Sequence, residues 1–237
     1  MPPPCPERYQ LVRTHERLEL HDTNDPKSGP VYVDFVQGKA RHRLKFGGGK
    51  GQDIAKAVGL NKLKQPHVID ATAGLGRESF VLASLGCTVT LLERNPMVHV
   101  LLEDGLRRAI ESQDEDLCEI VKRMKLINTD ARQWLTQLPN DELPDVVYLD
   151  PMFPERRKSA LVQKEMRFFH EVVGDDQDDD TLLSIARQHC RHRVSVKRPR
   201  HAPLLADEKP AFVITGKAIR YDVYLPLLKS QTSILVG

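Results

Sequence analysis

The sequence predicts a mostly parallel, doubly wound α/β sheet that ends in an antiparallel hairpin and carries a small N-terminal β-hairpin appendage. From Pro66 onward, short apolar runs alternate with amphipathic helical stretches, which is typical of a parallel sheet covered by helices. Polar or glycine-containing segments follow several of these runs, at the edge where such sheets bind ligands. The last strands, 211–215 and 220–225, predict a hairpin that places one antiparallel strand in the sheet.

The first sixty residues are predicted to form the appendage, and residues 61–237 the catalytic domain. The first thirty residues are polar and proline-rich, and their pattern predicts no clear element. Alternating polarity then predicts a hairpin, with a strand at 31–36, a turn at 37–40 and a return strand at 41–46. A glycine-rich joint at 47–51 leads into a helix at 52–58.

The predicted sheet is built from short buried runs separated by helices. Asn95 is a predicted helix cap, because Pro96 follows it in the first turn, where a missing N–H costs nothing. Gly86 occupies the position just past a helix end. The predicted strands are 67–71, 88–92, 124–128, 145–149 and 194–196, and the other predicted helices are 78–85, 159–173 and 181–190.

Composition excludes several classes of protein. The chain has 237 residues and a formal net charge of +2, so charge alone does not indicate a nucleic-acid partner. No apolar run approaches the roughly 20 residues needed to cross a bilayer, and the start lacks the features of a signal peptide. The four cysteines form no Cys-x-x-Cys pair, which favours reduced thiols and argues against zinc. We therefore expect a cytoplasmic protein without a metal.

A candidate cofactor loop, Asp-Ala-Thr-Ala-Gly-Leu-Gly-Arg at 70–77, follows the first strand of the predicted sheet. Asp70 ends that strand, and the glycines Gly74 and Gly76 would let the backbone approach a ligand closely. Glu93 stands seventeen residues after Gly76, at the end of the next strand. A carboxylate at that place can accept both hydroxyls of a ribose, so the pattern predicts a nucleoside cofactor.

The identity of the cofactor follows from the residues around this loop. Asp130, at the end of the third strand, could receive an adenine amine. The NAD fingerprint needs a glycine where this chain has Ser79. Glu78 also places an acid in the first helical turn, where it would repel a diphosphate. A sulfonium cofactor tolerates that acid, so the sequence favours S-adenosylmethionine over NAD.

A candidate acceptor site, Asp-Pro-Met-Phe-Pro at 150–154, follows the buried run 146–149. It resembles the Asp/Asn-Pro-Pro-Tyr/Phe motif of class I methyltransferases that modify exocyclic amines of bases, with Met152 in place of the second proline. We predict Asp150 and Phe153 as catalytic residues, because the carboxylate can accept an N–H while the ring stacks on a planar base. The structural alternative is a strand-ending Asp-Pro turn with a core phenylalanine.

Two basic clusters follow predicted strand ends and should line the rim of the same cleft. Both could bind phosphates around an extruded nucleotide, so we predict RNA contacts at these positions. The alternative is a solvated charged face. The clusters are Arg156, Arg157 and Lys158 after the fourth strand, and Lys197 and Arg198 at the end of the fifth.

Together these motifs resemble the bacterial ribosomal RNA small subunit methyltransferase J family. The resemblance implies a Rossmann-like class I methyltransferase that transfers a methyl group from S-adenosylmethionine to the N2 amine of one guanosine near the 3′ end of 16S rRNA. Naked 16S rRNA and the small ribosomal subunit both stay open as the substrate. The resemblance covers about residues 30 to 226, and the motifs are 70–77, 92–96, 148–154, 158–162 and 196–199.

The resemblance also implies which residues contact the cofactor. They follow the successive strands, as expected for ligand binding at the C-terminal edge of a parallel sheet. Carried over by motif, they are Arg77, Glu78, Glu93, Arg94, Asp130, Ala131 and Asp150.

Three other functions are compatible with parts of the sequence. A NAD-dependent oxidoreductase would need a hydride-relay group such as Tyr-x-x-x-Lys, and none stands in a suitable place. A noncatalytic RNA-binding or assembly factor would not need the group at 150–153. A methyltransferase that acts on a protein or a small molecule would not need the basic rim.

Overall fold

The computed structural model describes residues 8–27, 29–37, 49–151 and 179–227. Helices alternate with strands from residue 67 onward, as the sequence predicts. In chain order the elements are β1 (Tyr9–Arg13), β2 (Leu18–Asp22), α1 (Asp53–Ala57), β3 (His67–Asp70), α2 (Arg77–Ser84), β4 (Thr88–Glu93), α3 (Pro96–Glu111), α4 (Glu115–Val121), β5 (Met124–Asn128), α5 (Ala131–Thr136), β6 (Val146–Leu149), α6 (Asp179–Gln188), β7 (Arg193–Pro199), β8 (Phe212–Thr215) and β9 (Ile219–Tyr224).

The main sheet contains seven described strands in the order β5-β4-β3-β6-β7-β9-β8. Strands β5, β4, β3, β6 and β7 are parallel to one another, whereas β9 runs antiparallel to both β7 and β8. This arrangement confirms the predicted fold class and the single antiparallel strand. The strand order reverses between β3 and β6, and the C-terminal ends of these two strands therefore flank the crevice where such sheets bind ligands.

Both faces of the sheet are covered, so the central strands are buried on both sides. On one face, Val68 and Tyr148 belong to a core that includes residues of α1, α2 and α3. On the other face, Ile69 and Leu149 pack with residues of α5 and α6. All of β6 is buried, which explains why this parallel strand appears in the sequence as a continuous apolar run.

The predicted ends of two helices are confirmed. The Asn95 side chain accepts hydrogen bonds from the backbone N–H groups of Met97 and Val98, at 2.9 and 3.3 Å, and Pro96 opens α3. Gly86 follows the end of α2 with a φ of +97°, a conformation that favours glycine. Because α3 begins three residues after Glu93, its cap also fixes the loop that follows β4.

The N-terminal hairpin exists, but its predicted position was wrong. Strands β1 and β2 form it within the first thirty residues, where the sequence predicted no element, and they pair antiparallel. The segment 31–36 is not a strand, and among the described residues its β-pairing consists of an isolated bridge between Val31 and Leu20. The predicted return strand at 41–46 lies outside the described residues.

The alternating pattern at 31–36 has a different physical origin, because it reflects packing against helices and not a strand ladder. Phe35 stacks on Phe80 of α2 with ring centroids 4.9 Å apart. Val33 packs against Gly105 of α3, where a Cβ would lie only 2.4 Å from a Val33 methyl group. Arg108 of α3 donates to the Val33 carbonyl, so this backbone oxygen bonds a helix side chain.

Other predicted elements have mixed outcomes. The helix at 52–58 and the helix at 181–190 are present as α1 and α6, and the glycine-rich joint ends in a short 3-10 turn at Gly49–Gly51. Helix α4 was not predicted, although Asp114 caps it by accepting from the Leu117 N–H at 3.1 Å. The predicted helix at 159–173 lies outside the described residues. The domain division at residue 60 stays a prediction.

Within the described ranges, no helix has the length and apolar character needed to cross a membrane.

The β1–β2 hairpin is anchored to α3 through one buried carboxylate, Asp104, which is 3% exposed. Its oxygens accept from Arg107 and Arg108 at 2.8 Å each, from the Leu18 N–H at 3.0 Å, and from Arg13. Burial alone would raise the pKa of Asp104, but these hydrogen bonds outweigh it and hold the pKa well below its usual range.

We expect Asp104→Asn to lower the free energy of unfolding by about 2–4 kcal/mol at pH 7, since it removes the charge that the surrounding guanidinium groups neutralise. Urea unfolding measures this change. The ionised carboxylate of wild type stabilises the fold at pH values above the pKa that Asp104 has in the unfolded chain. The difference in unfolding free energy between wild type and Asp104→Asn should therefore become smaller as the pH falls below about 4. Glu111→Gln, which removes an exposed partner of Arg107, is the matched control and should cost under about 1 kcal/mol. A similar loss in both variants would contradict the anchoring role.

Candidate active site

The candidate site lies at the C-terminal edge of the sheet, where the strand order reverses. Asp70 ends β3, Glu93 ends β4, Asp150 follows β6, and Lys197 lies near the end of β7. The parallel register places Asp70 opposite Tyr148, two residues before Asp150. Strand pairing therefore brings together four ionisable side chains that are far apart in the sequence.

The loop after β3 is held by hydrogen bonds from its own ends and from β6. Asp70 is 1% exposed, and it accepts from the Ser79 hydroxyl at 2.5 Å and from the Thr72 N–H at 3.2 Å. The Thr72 hydroxyl in turn accepts the backbone N–H of Asp150 at 2.7 Å. This chain of contacts fixes the backbone at Asp150 relative to the cofactor loop.

Both glycines of the loop have a positive φ, and packing adds a second constraint at Gly76. Gly74 has a φ of +51°, and its N–H donates to Glu93 at 3.0 Å. Gly76 has a φ of +70° at the N-cap of α2. A Cβ at Gly76 would lie 2.6 Å from Leu102 and 3.3 Å from Phe35, so packing under the loop also requires a glycine there.

Glu93 is a buried carboxylate whose oxygens each accept a backbone N–H. Oε2 accepts from Gly74 at 3.0 Å, and Oε1 accepts from Asn95 at 2.7 Å. Burial raises the pKa of Glu93 to about 7, although these two hydrogen bonds and the charge of Arg94 oppose the shift. Since an ionised carboxylate has about four acceptor positions, Glu93 can accept ligand hydroxyls in addition to the backbone.

Asp70 is a second buried carboxyl group whose pKa is raised by burial. Burial raises its pKa to about 7, while the hydrogen bonds from Ser79 and Thr72 lower it and the charges of Asp150 and Glu78 raise it further. Asp70 therefore acts in the folded protein mainly as a buried acceptor that shapes the loop after β3.

Lys197 lies between two carboxylates of the site. Its ammonium group donates to Asp150 Oδ2 at 2.7 Å and to Glu78 Oε1 at 3.0 Å. The lysine side chain is 20% exposed, so these pairs are partly shielded from water. Burial alone would lower the pKa of Lys197, but the charges of Asp150 and Glu78 outweigh it, and the pKa is raised well above its usual range.

Asp130 and Ala131 lie at the start of α5, next to the end of β4. Asp130 is the N-cap of this helix and also pairs with the guanidinium of Arg132 at 2.6 Å. These hydrogen bonds lower the pKa of Asp130. The side chain of Asn128 and the N–H of Thr129 both donate to the Glu93 carbonyl, at 2.7 and 3.1 Å. The predicted cofactor residues after β4 and β5 are therefore physically connected.

The structure brings most predicted cofactor residues to this one edge. Arg77 opens α2 and is exposed, and Arg94 is exposed directly after β4. Arg198 is 5% exposed and donates to the Pro203 carbonyl at 3.2 Å, which gives it a structural partner. Other predicted residues lie outside the described ranges, namely Phe153, Arg156, Arg157 and Lys158.

Sequence reasoning did not recognise the roles of three residues in the site. Thr72 and Ser79 bind the loop through side-chain oxygens, and Lys197 reaches the acids, although the sequence assigned it to phosphate binding. Hydroxyl residues next to a strand-ending acid give only a weak signal. The sequence placed Lys197 on the rim of this cleft, but its contact with Asp150 depends on the register of β7 with β6, which no local pattern reveals.

The residues of the site fit a cationic cofactor better than an anionic one. Four carboxyl groups line or flank the crevice, and Lys197 pairs with two of them. A diphosphate next to Glu78 and the buried Glu93 would meet like charge, whereas a sulfonium would not. In the described part of the chain, no cluster of His, Cys, Asp or Glu has the arrangement of a metal site.

Comparisons with known proteins identify relatives that match most of the chain. A family model described as "Putative SAM-dependent methyltransferase" matches residues 5–226. The chain is 56% identical to ribosomal RNA small subunit methyltransferase J of Aeromonas salmonicida, over 92% of this chain and 86% of the relative. It is 51% identical to the protein of the same name from Cellvibrio japonicus, over 91% of this chain and 82% of the relative.

A solved structure has a similar fold along nearly the whole chain. The crystal structure of a SAM-dependent methyltransferase from Neisseria gonorrhoeae aligns with a TM-score of 0.76 and 41% sequence identity. The alignment covers 95% of this chain and 86% of that protein.

The raised pKa of Asp70 predicts how stability depends on pH. The folded protein keeps a proton on Asp70 that the unfolded chain releases near pH 4, so this group destabilises the fold increasingly as the pH rises from 4 to 7. Asp70→Asn removes that titration and can keep both hydrogen bonds. We expect its free energy of unfolding, relative to wild type, to rise by about 1–3 kcal/mol between pH 5 and pH 8.

Chemical unfolding of the ligand-free protein at the two pH values measures this effect. Asp116→Asn, a change at an exposed acid on α4, serves as the control and should show no such trend. The same stability difference for Asp70→Asn at pH 5 and pH 8 would contradict the assigned protonation.

Proposed function

Because this chain belongs to the ribosomal RNA small subunit methyltransferase J family, we propose that it methylates the exocyclic N2 amine of a specific guanosine near the 3′ end of 16S rRNA, with S-adenosylmethionine as methyl donor. The observation that carries this proposal is the position of Asp150. Its carboxylate follows β6 at the sheet's reversal point, and its backbone is bonded to the loop that Glu93 anchors. These contacts support a donor site and an acceptor site that lie next to each other.

On the cofactor side, the chain supplies acceptors and negative charge. When bound, S-adenosylmethionine supplies an electrophilic methyl group on a positively charged sulfur. We assign Glu93 to the ribose hydroxyls, since its buried carboxylate has acceptor positions beyond those used by Gly74 and Asn95. The strand-to-helix loop supports further contacts from Asp70, Gly74 and Gly76. The family motifs support contacts from Arg77, Glu78, Arg94, Asp130, Ala131 and Asp150.

On the acceptor side, Asp150 orients a weak nucleophile. The lone pair of a base amine is delocalised into the ring, and a hydrogen bond from its N–H to Asp150 favours rehybridisation at nitrogen. The amine proton becomes acidic only as positive charge develops, so Asp150 need not be a strong base. Alignment of the reacting groups contributes at most about 7–11 kcal/mol in well-ordered reactions. Phe153 stays a predicted stacking residue.

The substrate requires an exposed base. Guanine N2 lies in the shallow minor groove of an RNA helix or is accessible in a loop, so we expect an unpaired or flipped nucleotide at the site. Arg156, Arg157 and Lys158 stay predicted phosphate contacts, since they follow the acceptor motif directly. The reaction is expected in the cytoplasm, on 16S rRNA or on the small ribosomal subunit.

The direct test is methylation of ribosomal RNA. The protein is incubated with S-adenosylmethionine and with small subunits, or with purified 16S rRNA, from cells that lack this enzyme. Digestion and mass spectrometry of the nucleosides should show new N2-methylguanosine at one position. Asp150→Ala should abolish the product and leave cofactor binding weakened but detectable. Turnover by this variant would contradict the role of Asp150.

Other outcomes favour other functions. Methylation of a different base would keep the cofactor and overturn the proposed target atom. Bound cofactor without any RNA product would favour an assembly factor, or a methyltransferase acting on a protein or a small molecule.

Cofactor affinity tests the assignment of Glu93. We expect Glu93→Ala to raise the Kd for S-adenosylmethionine roughly tenfold or more, because a charge-assisted hydrogen bond contributes about 1.5–3 kcal/mol. Isothermal titration calorimetry measures the Kd, and circular dichroism verifies the fold. Glu119→Ala removes an exposed acid on α4 and should leave the Kd unchanged. A wild-type Kd in the Glu93 variant would exclude the ribose contact.

A further inference from the structure

Lys197 is the cation that joins the two halves of the site. It projects from β7 opposite Tyr221 of β9, and it reaches Glu78 on α2 and Asp150 after β6. The two carboxylates belong to different elements, and the ammonium lies 3.0 and 2.7 Å from them. A side chain that connects the cofactor side to the acceptor side has a geometric role that a rim residue does not.

The surroundings make this cation electrostatically necessary. Asp70 on β3 and Tyr148 on β6 both lie in the electrostatic field of Asp150 and Glu78, and the phenol of Tyr221 on β9 also acts on Tyr148. Burial raises the pKa of Tyr148, and the charges of Asp150 and Glu78 raise it further. Without a cation among them, the acids would repel one another and favour their protonated forms.

We propose that Lys197 is a positioning residue for methyl transfer, which fixes the orientation of the Asp150 carboxylate and keeps it ionised to receive the acceptor amine. This inference rests on the proposed function of Asp150. The contact to Oδ2 limits rotation of the carboxylate, and the contact to Glu78 ties that orientation to α2. A phosphate would have to displace one of these carboxylates, which favours this role over the RNA contact predicted from sequence.

The test compares Lys197→Met and Lys197→Arg with wild type in the methylation assay. We expect Lys197→Met to lower kcat by about 10- to 100-fold, with the KM for RNA and the Kd for S-adenosylmethionine within about threefold of wild type. The acidic limb of the kcat profile should move to higher pH by about one unit, since a nearby cation lowers a carboxyl pKa by roughly one to three units. Lys197→Arg should restore part of kcat and return the limb toward wild type.

Two control variants separate this role from general effects. Lys125→Met removes an exposed lysine from β5, at the far edge of the sheet, and tests the loss of one positive charge. Ser195→Ala changes a buried side chain two residues before Lys197 on the same strand. Its hydroxyl has no hydrogen-bond partner among the described residues. Neither variant should move the acidic limb.

Two results would overturn the inference. If Lys197→Met raises the KM for RNA and reduces the salt dependence of binding by about one ion, with the limb unmoved, the lysine binds phosphate. If Lys197→Met lowers only the thermal stability, and the folded protein keeps the kcat and the acidic limb of the wild-type pH profile, the lysine has a structural role.

A measurement without substrate separates this inference from the proposed function. The Asp150 carboxyl carbon is followed by ¹³C NMR during a pH titration of the free protein. A higher titration midpoint in Lys197→Met supports the pairing even if wild type methylates no RNA. An unchanged midpoint overturns it even if wild type is active. If Lys197→Met does not fold, the ¹⁵N signal of the Lys197 Nζ in wild type tests the pairing instead. This signal must shift as Asp150 titrates, and a signal that does not shift overturns the pairing.

Discussion

The reversal of strand order between β3 and β6 is the constraint on which the site depends. Chain segments that leave these two strands turn in opposite directions, so a crevice opens between them at their C-terminal ends. The loop after β3 enters this crevice from one side and Asp150 from the other. The hydrogen bond from the Asp150 N–H to Thr72 joins the two sides, so the position of the acceptor follows from the sheet.

Short-range hydrogen-bond donors balance the charge within this crevice. Backbone N–H groups satisfy Glu93, a hydroxyl and an N–H satisfy Asp70, and one ammonium satisfies Asp150 and Glu78. The acids nevertheless outnumber the cation. Such a site attracts a positively charged ligand and disfavours a diphosphate, although both kinds of cofactor bind to sheets of this topology.

The sequence could predict what depends on local pattern and could not predict what depends on strand pairing. Buried runs, the Asn95 cap and the acids at strand ends are local, and the structure contains them at the expected places. The role of Lys197 depends on the register of β7 with β6. The hairpin was misplaced because Val31, Val33 and Phe35 are buried at every second position, as in a strand, although Phe35 and Val33 pack against helices.

The close approach of Val33 to Gly105 has a consequence for how this chain can diverge. Any side chain at position 105 overlaps a methyl group of Val33, a residue that is 3% exposed. The Val33 Cβ would lie 2.8 Å from a Cβ at 105 as well, so a residue larger than glycine at 105 requires that position 33 first lose its Cβ or that its backbone first shift, while the reverse order passes through a clash. Across descendants of this sequence, the two positions should change as a pair and in a preferred order.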